Sequence, residues 1–116
     1  MIRNACGITI ETIARGWLAW LRGDAESCRA LADDAMARAR RSDDDRALAA
    51  AHTVLALVAA HDGDRLANDT HYLRALDHAE RAGDLLQVIR IRLNRGSRLN
   101  EEGFYDEAIA ELDLAI

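Results

Sequence analysis

One stretch decides the fold: residues 96–115, which read GSRLNEEGFYDEAIAELDLA. Small residues stand at Gly96, at Gly103 seven positions later and at Ala115 twelve positions after that. A fixed period of a few tens of residues is typical of a repeat array, in which each unit buries its apolar face only against its neighbours. The same three places hold small residues 40 and 80 positions earlier in the chain: Ala56, Gly63 and Ala75, and Gly16, Gly23 and Ala35.

Each repeat has the pattern of two helices joined by a short polar break. Half of the residues are hydrophobic, alanine is the commonest of them, and proline is absent. This composition favours closely packed helices because alanine has the highest helix propensity. We therefore expect an all-α chain of six helices that form three antiparallel hairpins in a right-handed α-α superhelix. The repeats cover about 9–41, 42–82 and 84–116, and residues 1–116 form a single repeat domain.

Glycines and polar capping residues mark the predicted helix ends. Glycine ends a helix well because it adopts the left-handed conformation, and a short polar side chain before a helix accepts from its first N–H groups. The predicted breaks are at Gly23, Gly63, Gly83 and Gly103, the predicted N-caps are Thr9, Asp24 and Asp84, and residues 42–45 are interpreted as a capping box.

Helix packing is predicted from the apolar stripe of the first helix and from the small residues. Small side chains allow close approach, so we expect the two helices of each repeat to meet at Gly16, Ala56 and Gly96. The stripe of the first helix, with three- and four-residue spacing, is predicted to face inward. Its members are Ile10, Ile13, Ala14, Trp17, Leu18 and Leu21.

Charge and cysteine content exclude several classes of protein. The net charge is −5, which argues against direct nucleic-acid binding because phosphate neutralisation needs a basic surface. All fifteen basic residues are arginine, a bias typical of GC-rich bacterial genomes. Cys6 and Cys28 do not form a disulfide framework, and we expect Cys28 to be a small buried thiol. The sequence has no signal-peptide pattern and no membrane-length apolar run, so we expect a cytoplasmic protein.

The last repeat resembles the tetratricopeptide repeat. That family has a small residue in its first helix (helix A), a glycine seven positions later, an aromatic residue, an alanine and a second alanine seven positions on; here these are Gly96, Gly103, Tyr105, Ala108 and Ala115. The family repeat is about 34 residues long, and this one is 40 and lacks the early aromatic residue and the final proline. Longer, proline-free repeats are similar to those of bacterial transcription regulators of the MalT and LuxR type. The resemblance implies a region that senses an effector or docks a partner, with DNA binding in a separate domain.

In the family that this chain resembles, helix A of each repeat lines a concave groove. Aromatic residues in such a groove are common binding anchors. The alternative is that the tryptophans fill the core, and that the arginines of the fifth helix (90, 92, 95 and 98) form ion pairs with Asp77, Glu80 and Asp84. By register, the candidate partner-binding residues are Trp17, Trp20 and Leu21, then Leu57, Ala60 and His61, then Ser97, Asn100 and Glu101. Arg90 is a further candidate, because an anionic ligand or an acidic peptide could use the arginines of the fifth helix.

The sequence offers no candidate for catalysis or for metal binding. His71 and His78 lie two helical turns apart, which is too far for one zinc ion without further ligands, and we interpret them as solvated. Asp62 and Asp64 flank Gly63 but lack the closing glutamate of a calcium loop. No nucleophile stands in a recognisable motif, so we expect a non-enzymatic protein without a cofactor.

The sequence therefore predicts a protein-interaction or effector-sensing scaffold from a larger bacterial regulator. Its partner would be a protein or peptide segment, or a small effector. The alternative is a self-association module. We expect Leu112, Ile116, Ile89 and Leu93 to leave an apolar face open, which either a second copy or a further repeat would cover.

Overall fold

The computed structural model describes residues 5–115 of the chain, which form six α-helices and contain no β-strand. This confirms the predicted all-α chain of six helices. Of the residues predicted to leave an apolar face open, Ile116 lies outside the described residues, Leu93 is exposed, and Ile89 and Leu112 are half-buried. The helices are α1 (Ala5–Leu21), α2 (Ala25–Ser42), α3 (Asp45–His61), α4 (Arg65–Arg81), α5 (Leu85–Glu101) and α6 (Tyr105–Ala115).

Aspartates at 20-residue intervals cap four of these helices. The carboxylate of each accepts a hydrogen bond from a backbone N–H in the first turn, at 3.0 to 3.2 Å, which satisfies a donor that the helix itself cannot. The four predicted glycine breaks all have positive φ, from 67° to 88°. The capping aspartates are Asp24, Asp44, Asp64 and Asp84.

Two of the predicted helix starts are wrong. Thr9 is not an N-cap, because α1 already includes Ala5 and Thr9 lies inside the helix. Its side chain is fully buried. The predicted capping box at 42–45 is not one motif: Ser42 is the last residue of α2, Asp43 follows it at φ 51°, and Asp44 is the N-cap of α3. The two helices are thus separated by only two residues.

Consecutive helices pack against each other, and the core divides into two clusters. Contacts are most extensive between α3 and α4, α1 and α2, and α5 and α6, and they are least extensive between α4 and α5. The first cluster joins α1, α2 and α3 around Met36, Leu48 and Val54. The second joins α3, α4 and α5 around Tyr72 and Ile91. The predicted buried thiol, Cys28, lies in the first cluster.

Small residues meet the neighbouring helix at the same register in all three repeats. A Cβ added to Gly96 would lie 2.7 Å from the Leu112 side chain, so that glycine is needed for the approach of α6. At Ala56 the carbonyl oxygen accepts a hydrogen bond of 2.6 Å from Asn68 Nδ2. A Cβ added to Gly16 would lie 3.6 Å from Leu31 Cβ, an ordinary contact. The prediction that Gly16 is required for close approach is therefore wrong.

The predicted inner stripe of α1 is also wrong in part. Ile13 is buried, but Ile10, Leu18 and Leu21 are 58%, 47% and 78% exposed. The reason is that α2 and α3 both pack on the side of α1 that carries Ile13. Within residues 5–115, no helix covers the opposite side.

Polar residues of α5 replace the apolar residues of α3 at equivalent places. Forty positions after Val54, Leu55 and Val58, which pack in the first cluster, α5 carries Asn94, Arg95 and Arg98. Polar side chains fill this junction less completely than branched apolar ones, which agrees with the sparse contacts between α4 and α5. The junction opens into the groove described next.

Candidate binding groove

A groove with a cavity volume of about 310 Å³ lies where α1, α3 and α5 come together, with α4 at its base. Aromatic and aliphatic side chains come from α1 and α3, and polar ones come from α5. A concave site with an apolar lining and a few polar groups is the usual form of a binding site. The lining residues are Trp17, Trp20, Leu21, Thr53, Leu57, Tyr72, Asn94, Ser97, Arg98 and Glu101.

Trp17 and Trp20 are each half-buried: one part of each side chain packs against the first core cluster, and another lines the groove. The ring of Trp20 also meets that of His61 edge to face, with centroids 5.3 Å apart and planes at 86°. Each tryptophan thus packs on the core and lines the groove at the same time.

A second cavity of about 220 Å³ continues the groove toward the first turns of α5. It shares Trp17, Thr53 and Asn94 with the first cavity, and it adds Arg90 and Gln87. The two cavities therefore form one groove that follows α5 over most of its length.

The base of the groove is polar around Tyr72. Burial raises the pKa of the Tyr72 hydroxyl, whereas the charge and hydrogen bond of Arg98 act in the opposite direction. Arg98 Nη1 also lies 3.6 Å from Glu102 Oε1. Three buried polar atoms of α5 have no hydrogen-bond partner within residues 5–115: Gln87 Oε1, Arg95 Nη1 and Arg98 Nε. Such atoms are uncommon in folded proteins.

The structure brings together most of the residues that the sequence singled out. Arg90 lines the second cavity, His61 supports Trp20, and Asn100 is exposed on α5 and lines neither cavity. The sequence candidates that line the first cavity are Trp17, Trp20, Leu21, Leu57, Ser97 and Glu101.

Sequence reasoning missed three residues that line the first cavity. Thr53 and Asn94 stand one helical turn before Leu57 and Ser97, so extending the same stripe by one turn would have found them. No periodic pattern of helix A could indicate Tyr72, because it reaches the groove from α4.

The ion-pair alternative for the α5 arginines holds for Arg92. Its guanidinium lies 3.4 Å from Glu80 and 3.3 Å from Glu111. The two aspartates suggested as further partners pair elsewhere, Asp77 with Arg81 and Asp84 with Arg46. Arg90 belongs to no salt bridge within the described part of the chain.

Three histidines that are distant in sequence cluster between α3 and α4. His52 is 3% exposed, its Nδ1 lies 3.0 Å from Nδ1 of His71, and its ring stacks on that of His78 with centroids 5.6 Å apart. His78 Nδ1 lies 2.9 Å from Asp45 Oδ1. The interpretation of His71 and His78 as solvated is therefore wrong, because both rings pack at this interface.

Burial and neighbouring positive charge disfavour protonation in this cluster. Burial is the main cause that lowers the pKa of His52 to about 4, and the charges of His71, His78, Arg74 and Arg40 add to it. Burial likewise lowers the pKa of His71. Within residues 5–115, no group of three or more His, Cys, Asp or Glu side chains has an arrangement that could hold a metal ion.

Comparisons with protein-family models, with curated proteins and with solved structures found no match to this chain. None of the helices in the described residues has both the length and the apolar character needed to cross a membrane.

Proposed function

We propose that this chain is a non-enzymatic interaction region whose groove binds a segment of a partner protein or peptide. The observation that supports this most is the convergence of Trp17 and Trp20 with Leu57 and the polar side of α5 around one elongated groove. Rigid aromatic side chains at the side of a groove supply contact area at low cost in conformational entropy.

The proposed arrangement behind the groove is a right-handed superhelix of three antiparallel hairpins, as the resemblance to tetratricopeptide repeats implies. In this arrangement α1, α3 and α5 are the helices A of successive repeats. We further propose that the region belongs to a cytoplasmic bacterial regulator, in which binding of the segment is the regulatory input.

Selection from a displayed peptide library tests the proposal, followed by fluorescence anisotropy with the enriched peptides. We expect Trp20→Ala to weaken binding at least tenfold, because truncating an aromatic anchor at a binding hot spot typically costs about 2 kcal/mol or more. The matched control is Leu66→Ala, which removes an exposed apolar side chain of α4 outside the groove and leaves binding unchanged. Circular dichroism verifies that both variants fold. Equal binding by the Trp20→Ala variant, or no enriched peptide, would contradict the proposal.

Self-association is the second candidate, and exposed apolar side chains at both ends of the described array favour it. Ile10 and Leu18 are exposed on α1, and Leu93, Ile109 and Leu114 on α5 and α6. If copies pair through these surfaces, light scattering shows a mass that rises with concentration, and Leu18→Asp lowers it. A constant monomer mass across a wide concentration range excludes this candidate.

A further inference from the structure

The side of the groove formed by α5 is a ladder of four polar residues. Arg90, Asn94, Ser97 and Glu101 follow each other at intervals of four, three and four positions, so they lie on one face of the helix. All four are exposed. At 1.5 Å per residue, the ladder extends over about 16 Å.

The two ends of this ladder carry opposite charges. Arg90 lies at the end of the groove near the start of α5, and Glu101 is the last residue of that helix. Neither forms a salt bridge within residues 5–115. Arg98, the other charged residue of the groove, has Glu102 at 3.6 Å and is 26% exposed. The charges available to a ligand are therefore one positive group at one end and one negative group at the other.

The opposite side of the groove is apolar. Trp17 extends along both cavities, and Trp20, Leu21 and Leu57 continue the surface beside Glu101. A ligand that fills the groove thus contacts apolar side chains on one side and the polar ladder on the other.

The length of the groove sets the length of the bound segment. The two cavities, of about 310 and 220 Å³, together follow the polar ladder from Arg90 to Glu101. At about 3.3 Å per residue, an extended segment as long as the ladder has about five residues.

We propose that the groove binds an extended segment of about five residues that is acidic at one end and basic at the other, with apolar side chains between them. The acidic end pairs with Arg90 and the basic end with Glu101, while the apolar side chains pack on the tryptophan side. This inference rests on the proposed function, and it adds the chemistry of the bound segment.

Four acetylated and amidated peptides test the charge rule, since blocking the termini removes their charges. The probes are labelled Asp-Leu-Ser-Leu-Arg, its like-charged relatives with two Asp or two Arg, and an uncharged one with two Ser at the ends. With the wild-type chain, we expect the peptide of mixed charge to bind about fivefold more tightly than either like-charged peptide at low salt. The difference should shrink as salt is added.

Single charge reversals make the test specific to the two residues. Arg90→Glu makes both ends of the ladder acidic, so that variant should prefer the peptide with two Arg. Glu101→Arg makes both ends basic, so that variant should prefer the peptide with two Asp. The matched control for Arg90→Glu is Arg41→Glu, which makes the same change of net charge at an exposed position of α2 outside the groove and should keep the wild-type preference.

The outcomes separate this inference from the proposed function. Equal binding of all four peptides, abolished by Trp20→Ala, would leave the groove as a peptide site and overturn the charge rule. The charge rule would also be overturned if the Arg90→Glu and Glu101→Arg variants kept the peptide preference of the wild-type chain. Failure of all four peptides to bind would overturn the charge rule, and only the absence of any enriched library peptide would contradict the proposed function as well.

Discussion

At the scale of the residue, the most regular feature of this molecule is the aspartate that precedes each of four consecutive helices, α2 to α5. Asp24, Asp44, Asp64 and Asp84 each accept a backbone N–H of the helix that follows. These contacts span two or three positions in sequence, so they form whenever the local backbone does. They lie in the short connections that separate α1 to α5.

Asp43 departs from the regularity and gives a first prediction. It has φ 51°, whereas the equivalent place 40 residues later is Gly83 at φ 67°. A side chain in the left-handed region costs free energy that glycine avoids, so Asp43→Gly should raise the free energy of unfolding by about 0.5–1 kcal/mol in urea titration. The neighbouring control, Asp44→Ala, removes the N-cap and should lower it by about 1 kcal/mol. A destabilised Asp43→Gly variant would mean that the carboxylate of Asp43 has a role of its own.

The histidine cluster predicts a loss of stability in acid. His52 has its usual pKa near 6.5 when the chain is unfolded and a pKa of about 4 in the folded state, mainly because it is buried. Between these values the unfolded chain binds a proton that the native chain does not, so stability is unaffected above pH 6.5 and falls as the pH drops toward 4. From pH 7.5 to about pH 5, we expect a loss of about 1–2 kcal/mol, measured by urea unfolding at each pH.

Two variants show whether His52 causes that loss. His52→Gln should flatten the pH dependence over this range, even if it lowers the stability at pH 7.5. His61→Gln, at an exposed histidine, should keep the wild-type slope. An unchanged slope in the His52→Gln variant would assign the pH dependence to other groups.

At the scale of the element, helix pairs tolerate added volume to different degrees. Gly16→Ala places a methyl group at an ordinary contact distance from Leu31, so the gain in helix propensity should stabilise the chain by about 0.5–1 kcal/mol. Gly96→Ala brings its Cβ to 2.7 Å from the Leu112 side chain, which must move, and should gain nothing or lose stability. Thermal unfolding of the two variants compares the sites. A more stable Gly96→Ala chain would show that α6 shifts freely.

Of the three small residues at which the helix pairs meet, Ala56 should tolerate added volume least. It is fully buried between α3 and α4, and its carbonyl accepts the hydrogen bond from Asn68. Ala56→Leu should therefore overpack the pair and destabilise the chain by about 1–3 kcal/mol. An unchanged melting temperature would contradict the close packing at this position.

At the scale of the whole molecule, stability should be uneven along the array. The first core cluster joins three helices through many apolar residues, whereas Ile91 is the buried residue by which α5 joins the second. Where α3 has Leu55, α5 has Arg95, with a buried Nη1 that lacks a partner within residues 5–115. Amides of α5 and α6 should therefore exchange hydrogen faster than those of α3.

Replacing Arg95 tests whether its unpaired side chain is the reason that α5 is less stable than α3. Arg95→Leu gives α5 the residue that α3 has at the equivalent position, Leu55, and it removes an unpaired buried donor. Hydrogen exchange in α5 should slow by an amount equivalent to about 1–2 kcal/mol. Arg41→Leu, at an exposed position of α2, should leave exchange in α5 unchanged. Equal protection of all six helices in the wild-type chain would refute the uneven distribution.

Sequence alone determined the number of helices, most of their ends and most of the candidate groove residues. Glycines with positive φ and capping aspartates act over a few residues, so their effect does not depend on distant parts of the chain. The period of 40 also placed Trp17, Leu57 and Ser97 at equivalent positions, and they line the same cavity.

Only the tertiary structure decided which side of α1 is buried, that the histidines cluster, and that Tyr72 reaches the groove. Ile10 and Ile13 are equally apolar, and the position of α2 and α3 leaves the first exposed and the second buried. His52 and His71 meet because α3 and α4 pack side by side. Such contacts join residues that no local pattern relates, since burial depends on which surface a neighbouring helix covers and not on the apolar character of the side chain itself.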